Sequence, residues 1–439
     1  SFERVRSNTL MNILFSHARV LRKAGDAFTL LQDCAVGVQD DCILFVGQPP
    51  AQFVADRIID CRGGLLLPGF VNAHTHSPLC LLRGAGEDRR LQPWLEQSVW
   101  PFEAKHTHDS CYWGALLNMA ESIRCGATCL NDMYIHSDAV AEAAEQSGMR
   151  ALITPTITDQ LLSESPDLFT QVQALAQKYQ SNPLIQIGIA PHSIYTCSAQ
   201  TLRQIAKLCE QSPMPVHVHV SETRQELLNS LARYGGNTPL QVLDKLGLVH
   251  NNTLLAHCTH FTEEDSLLAA ARDACVVHCP RSNLKLGSGI APVADMLAHG
   301  VRIAIGTDSS ASNNNQDILE ELRFAALLQK GTQGDPSVLP LSKCFEMVFH
   351  APLAAMGFSD CGMIAAGSQA DLIVIDTSEV CWLPDIDPLS NLLYAAHSTH
   401  VSLTMVAGKI LYENGTYQTI DVDQLRFEVQ KITTRFLKE

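Results

Sequence analysis

Leu65-Leu66-Leu67-Pro68-Gly69-Phe70-Val71-Asn72-Ala73-His74-Thr75-His76 runs from an apolar stretch straight into two histidines one residue apart. Successive side chains of a β-strand point to opposite faces, so these two imidazoles share one face. At a strand end they can present two nitrogens to one metal ion, whereas a helical pair would need a spacing of three or four. With 17 histidines in 439 residues, one such pair is expected by chance. The pair gains weight from further metal-site residues downstream, which come in the order His192, His219 with Glu222, His257 and Asp308.

Outward from that stretch, short apolar runs alternate with longer helical ones. Candidate strands are 66–72, 129–134, 150–156, 185–190, 216–221, 253–257, 275–278 and 302–306. Such alternation indicates βα units and a parallel sheet, and eight of them fit a (β/α)8 barrel better than an open sheet. Both chain ends are β-rich instead. Strands are expected over 12–21, 28–38 and 42–46, then over 370–376 and 402–412, with a hairpin turn at Glu413-Asn414-Gly415. The expected organisation is a small β-sandwich built from both ends, residues 1–65 and 366–439, flanking an α/β barrel at 66–365. A terminal helix is expected over 422–437.

At 46% hydrophobic content the chain can bury a large core, and its formal net charge of −15 offers no basic surface. Nucleic acid and anionic membrane are thereby disfavoured as partners, and a small molecule is favoured. A homo-oligomer is left open. No apolar run reaches the ~20 residues that span a bilayer, and the first ten residues hold no signal-peptide core. The 15 cysteines form no C-x-x-C pair, which suits small buried hydrophobes in a reducing cytoplasm.

The polar candidates fall at the C-terminal ends of the expected barrel strands, where barrel enzymes build their sites. His74 and His76 end the first strand. His217 and His219 share a parity on the fifth; Glu222, just beyond on the same rim, favours His219. His257 and Asp308 come on later strands. His74, His76, His219 and Asp308 make a zinc set with room for a water.

Five runs carry a family resemblance. They are Leu67-Pro68-Gly69-Phe70-Val71-Asn72-Ala73-His74-Thr75-His76, His219-Val220-Ser221-Glu222-Thr223, Ala256-His257-Cys258, His278-Cys279-Pro280-Arg281-Ser282-Asn283-Leu284-Lys285-Leu286-Gly287 and Gly306-Thr307-Asp308-Ser309-Ser310-Ala311-Ser312-Asn313-Asn314. The chain resembles the amidohydrolase superfamily over nearly its whole length, and within it the methylthioadenosine/S-adenosylhomocysteine deaminases. The resemblance implies a distorted TIM barrel with one divalent metal, usually zinc, and a purine nucleoside deaminated at C6. Binuclear members bridge two metals through a carboxylated lysine after the fourth strand. Here that strand leads into Pro191-His192-Ser193 without a lysine, so one ion per chain is expected.

In that setting Asp308 would accept the proton of the attacking water, and His257 would aid it and stabilise developing charge. Glu222 would protonate ring N1 and then the leaving ammonia. The unrelated zinc nucleobase deaminases also use a non-ligand Glu, but their P-C-x-x-C motif is absent. Leu91-Gln92-Pro93-Trp94-Leu95-Glu96-Gln97-Ser98-Val99-Trp100-Pro101-Phe102-Glu103 resembles the family's loop after the first strand. By that match Glu103 would hold the ribose diol, Trp94 would wall the pocket and His192 would contact the nucleoside. Arg150 matches a position that meets the carboxylate of S-adenosylhomocysteine. Ile157-Thr158-Asp159-Gln160-Leu161-Leu162-Ser163-Glu164-Ser165-Pro166 supplies no second arginine, so methylthioadenosine or adenosine ranks above S-adenosylhomocysteine. The rival readings are a guanine or 8-oxoguanine deaminase, an s-triazine hydrolase, and a non-catalytic scaffold of the same fold.

Overall fold

Gly69 splits the opening stretch in two. In the computed structural model, which describes residues 11–438, Leu65–Pro68 and Phe70–Thr75 are separate strands, not the single strand expected over 66–72. A Cβ on Gly69 would stand 2.1 Å from the Thr128 side chain, so the chain passes there only without one. The expectation for the first ten residues lies outside the described region.

Beyond Gly69 the parallel pattern sets in. Phe70–Thr75 pairs with Ala127–Tyr134, which pairs with Arg150–Ile157, followed by Ile185–Ile187 and Ala190–Pro191. Val216–Val220, Thr253–His257, Cys275–His278 and Arg302–Ile305 form a second parallel arc. The arcs meet at Ile189 and Val216, a parallel bridge. At their other margin Asp308 N donates to His74 O at 2.9 Å. There Gly306 comes so close that a Cβ on it would lie 2.7 Å from His74 Cβ. The strands are buried along their length, as Ala127–Tyr134 shows at every residue. Strands covered on both faces read as continuous apolar runs. Intervening helices turn one apolar stripe inward: Ala199–Gln211, N-capped by Ser198, buries Leu202, Ile205 and Ala206.

The two chain ends do meet, as one nine-stranded hydrogen-bonded sheet. Leu65–Pro68 is its seam, parallel to Asn12–Ala24 on one side and antiparallel to Leu372–Ile375 on the other. Outward lie Ala27–Gln39 and Cys42–Val46 on one flank, and Val401–Val406, Lys409–Glu413 and Thr416–Tyr417 on the other. The Asn414-Gly415 turn takes φ 45° and 89°, the left-handed pair that a tight two-residue hairpin needs. The chain closes with the helix Val422–Lys438.

A buried ion pair ties this sheet to the parallel strands. Arg150, which opens the third parallel strand, donates through Nε to Asp371 Oδ2 at 2.7 Å and through Nη2 to Oδ1 at 3.0 Å. Asp371 Oδ1 also accepts from Ala407 N at 2.8 Å. Removing one member strands the other charge in the interior. Asp371→Ala should lose about 3–5 kcal/mol of unfolding free energy, measured by chemical denaturation of the metal-free protein.

Candidate active site

Each strand-end imidazole is fixed by its outer nitrogen. His76 Nδ1 lies 2.5 Å from Met133 O, His219 Nδ1 2.8 Å from His192 O, and His257 Nδ1 2.8 Å from Asn283 Oδ1. His74 Nδ1 lies 2.9 Å from His217 Nε2. A donor role for these four Nδ1 atoms leaves every Nε2 lone pair free to face the same point.

Those inner atoms crowd together. His76 Nε2 and His219 Nε2 are 3.3 Å apart. Asp308 Oδ1 lies 3.5 Å from His74 Nε2 and 3.4 Å from His76 Nε2. Ligand atoms of His74, His76 and His219 fall within 4.8 Å of one another, as do those of His74, His257 and Asp308. His74 Nε2 is buried and has no hydrogen-bond partner. Burial holds the His74 imidazole neutral, with its pKa lowered to about 4. An orphaned neutral nitrogen among imidazoles and one carboxylate is the donor set that zinc takes.

Backbone strain aims the later residues. His257 and Asp308 sit at φ 74° and 60°, a region that non-glycine residues rarely enter. Asp308 is held there by Ser309 N at 2.7 Å on Oδ1, and by Ser282 Oγ at 2.5 Å and Ser312 Oγ at 3.0 Å on Oδ2. Burial alone would raise its carboxyl, but the adjacent His74 and the other nearby imidazoles take it below the carboxylate range. Glu222, 4% exposed, is moved the other way: burial keeps its acid form to higher pH than usual. His257 Nε2 stands 3.9 Å from Glu222 Oε2. Burial would lower His257, yet Glu222 and Asp308 outweigh it and raise its pKa. A cluster of imidazoles, a carboxylate held in its ionised form and a carboxyl shifted toward its acid form therefore share one chamber.

A model of the Amidohydrolase family matches residues 65–411. The chain belongs to the amidohydrolase family. A 5-methylthioadenosine/S-adenosylhomocysteine deaminase of Moorella thermoacetica is 38% identical over 90% of this chain and 94% of its own. A 5'-deoxyadenosine deaminase of Methanothermobacter thermautotrophicus is 37% identical over 88% of this chain and 91% of its own. The crystal structure of an adenosine deaminase from Xanthomonas campestris, with bound zinc, has a TM-score of 0.93 and 35% identity, covering 98% of this chain and 99% of that one.

Around the chamber of this amidohydrolase the other expected contacts divide. Glu103 is half-buried near His76, and burial raises its pKa to about 7. His192 packs its ring 4.6 Å from that of His219 and is kept neutral by burial, at about 3. Trp94 is 6% exposed and packs in a core cluster with Leu79, Leu95 and Val99. Arg150 is a correction. It lies at the entry end of its strand, opposite the end that carries the chamber, 2% exposed and paired with Asp371, so it is not placed to meet a substrate carboxylate. Asp159 is committed too, accepting from Ser198 N and Thr201 Oγ1 at the start of the helix Ala199–Gln211.

One residue that sequence reasoning passed over is Glu226. Its carboxylate accepts from Ser221 N at 3.1 Å and Glu222 N at 2.8 Å, fixing the bend that carries Glu222. The pattern Thr223-x-x-Glu226 before a helix was a usable signal, since a glutamate there reaches back to amides ahead of the helix. Glu226→Ala leaves two buried amides unpaired. It should lose about 1–3 kcal/mol of stability per amide in denaturant titrations, and Glu226→Gln, which keeps an acceptor, should lose less.

Proposed function

We propose that this chain hydrolytically deaminates an adenine nucleoside, 5'-methylthioadenosine foremost, to the inosine analogue and ammonia. Adenosine comes next, and S-adenosylhomocysteine ranks lower because Arg150 is taken. The observation that carries this reading is one chamber holding an ionised Asp308, a Glu222 that burial shifts toward its acid form, and converging imidazoles, with Glu103 near its edge. The relatives named as nucleoside deaminases support it.

His74, His76, His219 and Asp308 would hold one zinc ion per chain. Such an ion supplies Lewis acidity that makes a water acidic near neutral pH. Asp308 takes the proton that the attacking water gives up, with His257 beside it to steady the charge that develops. Glu222 gives its proton to ring N1 as a C–O bond forms at C6. It then takes the remaining hydroxyl proton from C6 and passes it to the exocyclic amine, which leaves as ammonia when the C6–N bond breaks, and the proton on Asp308 returns to Glu222 to restore both groups. Glu103 accepts from the two vicinal ribose hydroxyls, and His192 contacts the nucleoside.

The two arcs are proposed to close into a (β/α)8 barrel at about residues 66–365. The residues at 1–65 and 366–439 would fold as the smaller flanking domain. A cytoplasmic location is proposed from the cysteine usage; no helix among the described residues is long and apolar enough to cross a membrane.

Ammonia release from methylthioadenosine, adenosine, S-adenosylhomocysteine and guanine tests the reading, and a preference for guanine overturns it. Glu222→Gln should keep zinc and substrate binding yet lose several orders of magnitude in kcat, because an amide does not shuttle a proton. Glu103→Ala should lower kcat/KM for ribonucleosides by about ten- to several-hundred-fold, the loss of one or two charge-assisted hydrogen bonds. A 2'-deoxy substrate should be nearly indifferent to that change. Metal analysis should give one equivalent per chain, and His74→Ala should lose metal and activity together.

A further inference from the structure

His217 has no part in the proposed chemistry, although it shares a strand and a face with His219 and is fully buried. Its Nε2 lies 2.9 Å from His74 Nδ1. Its Nδ1 lies 3.1 Å from both Thr154 Oγ1 and Asn131 Nδ2. Thr154 Oγ1 in turn donates to Asp132 O at 2.6 Å, and Asn131 Nδ2 donates to Ala73 O at 2.9 Å.

Counting protons along this chain gives two orders. A neutral imidazole has one N–H and one lone pair. For His74 to offer Nε2 to a cation, its proton must sit on Nδ1 and be accepted by His217 Nε2. The His217 proton is then on Nδ1, and Thr154 Oγ1 accepts it because the threonine's own proton goes to Asp132 O. In the opposite order the second amide proton of Asn131 enters His217 Nδ1. That puts the His217 proton on Nε2 and leaves His74 with a proton on its inner nitrogen, closed to a cation. Both rings stay neutral in both orders, so the exchange takes up and releases no net proton.

We propose that His217 is a positioning residue that sets the tautomer of His74, with Thr154 drawing it toward the metal-receptive order and Asn131 away from it. The inference rests on the proposed metal site. It predicts that a group which never touches the ion controls how well the ion binds, as partners of metal-bound histidines do.

The test is zinc affinity of the metal-stripped protein, measured by chelator competition, with a denaturation curve for each variant to establish folding. His217→Leu removes the acceptor and should bind zinc about 10–100-fold more weakly. His217→Gln places an amide oxygen where Nε2 stood and should stay close to wild type. Thr154→Val leaves His217 in place but takes away the acceptor for its Nδ1–H, and should weaken zinc by about two- to tenfold. Nitrogen-15 spectra of the zinc-loaded wild type should show His217 protonated on Nδ1. Folded His217→Leu with wild-type affinity, His217→Gln as weak as His217→Leu, or an unchanged Thr154→Val overturns the inference. Should His217→Leu not fold, Thr154→Val and the spectra decide alone. A folded wild type that takes up no zinc overturns the metal site itself.

Discussion

Every feature of the site depends on one constraint: an imidazole has two nitrogens, and tying down the outer one determines what the inner one can do. Met133 O, His192 O, Asn283 Oδ1 and His217 Nε2 each meet one ring from behind. Four rings are thereby oriented before any ligand arrives, and the cost of gathering lone pairs in a buried space is met during folding. Hydrogen bonds of this kind fix both ring rotation and tautomer. The carboxyl groups are sorted by the same enclosure. Asp308 is surrounded by donors and stays ionised, while Glu222 has fewer and is shifted by burial toward its acid form.

Much of this architecture is legible in the sequence, and the legible parts have a common cause. The parallel strands are visible because burial on both faces demands uninterrupted apolar runs, and six polar residues at their ends stand out against that background. The hairpin at Asn414-Gly415 is visible because few residue pairs accept two left-handed conformations in succession. The break at Gly69 is not. Nothing in Pro68-Gly69-Phe70 says that Thr128 lies against it. Arg150 misleads for a related reason. Its place along the strand can be read, but the sequence does not show that Asp371, far along the chain, claims it. Glu226 and His217 are visible as residue types. The contacts of Glu226 are local and readable from Thr223-x-x-Glu226, whereas the partner of His217 is a second histidine far along the chain, met only once the strand ends have been brought together.

The expected sandwich is a further case. Strand propensity and turn signals show that both ends are β, and their pairing as one small sandwich is the natural inference. The seam strand Leu65–Pro68 belongs, in that reading, to the start of the barrel. Its run of leucines suits either place, since it is buried throughout. Composition does not separate two environments that are equally dry.

That seam also has a consequence for how the protein is made. Leu65–Pro68 finds one neighbour in the first strand of the chain and the other in Leu372–Ile375, which leaves the ribosome only after all the parallel strands have been synthesised. Pairings that span so much sequence form slowly, and until they form an apolar edge stays open. His74 and His76 lie a few residues downstream of that edge. During synthesis the histidine pair is therefore attached to an unfinished sheet, and the closing stretch of the polypeptide completes the support of its first strand.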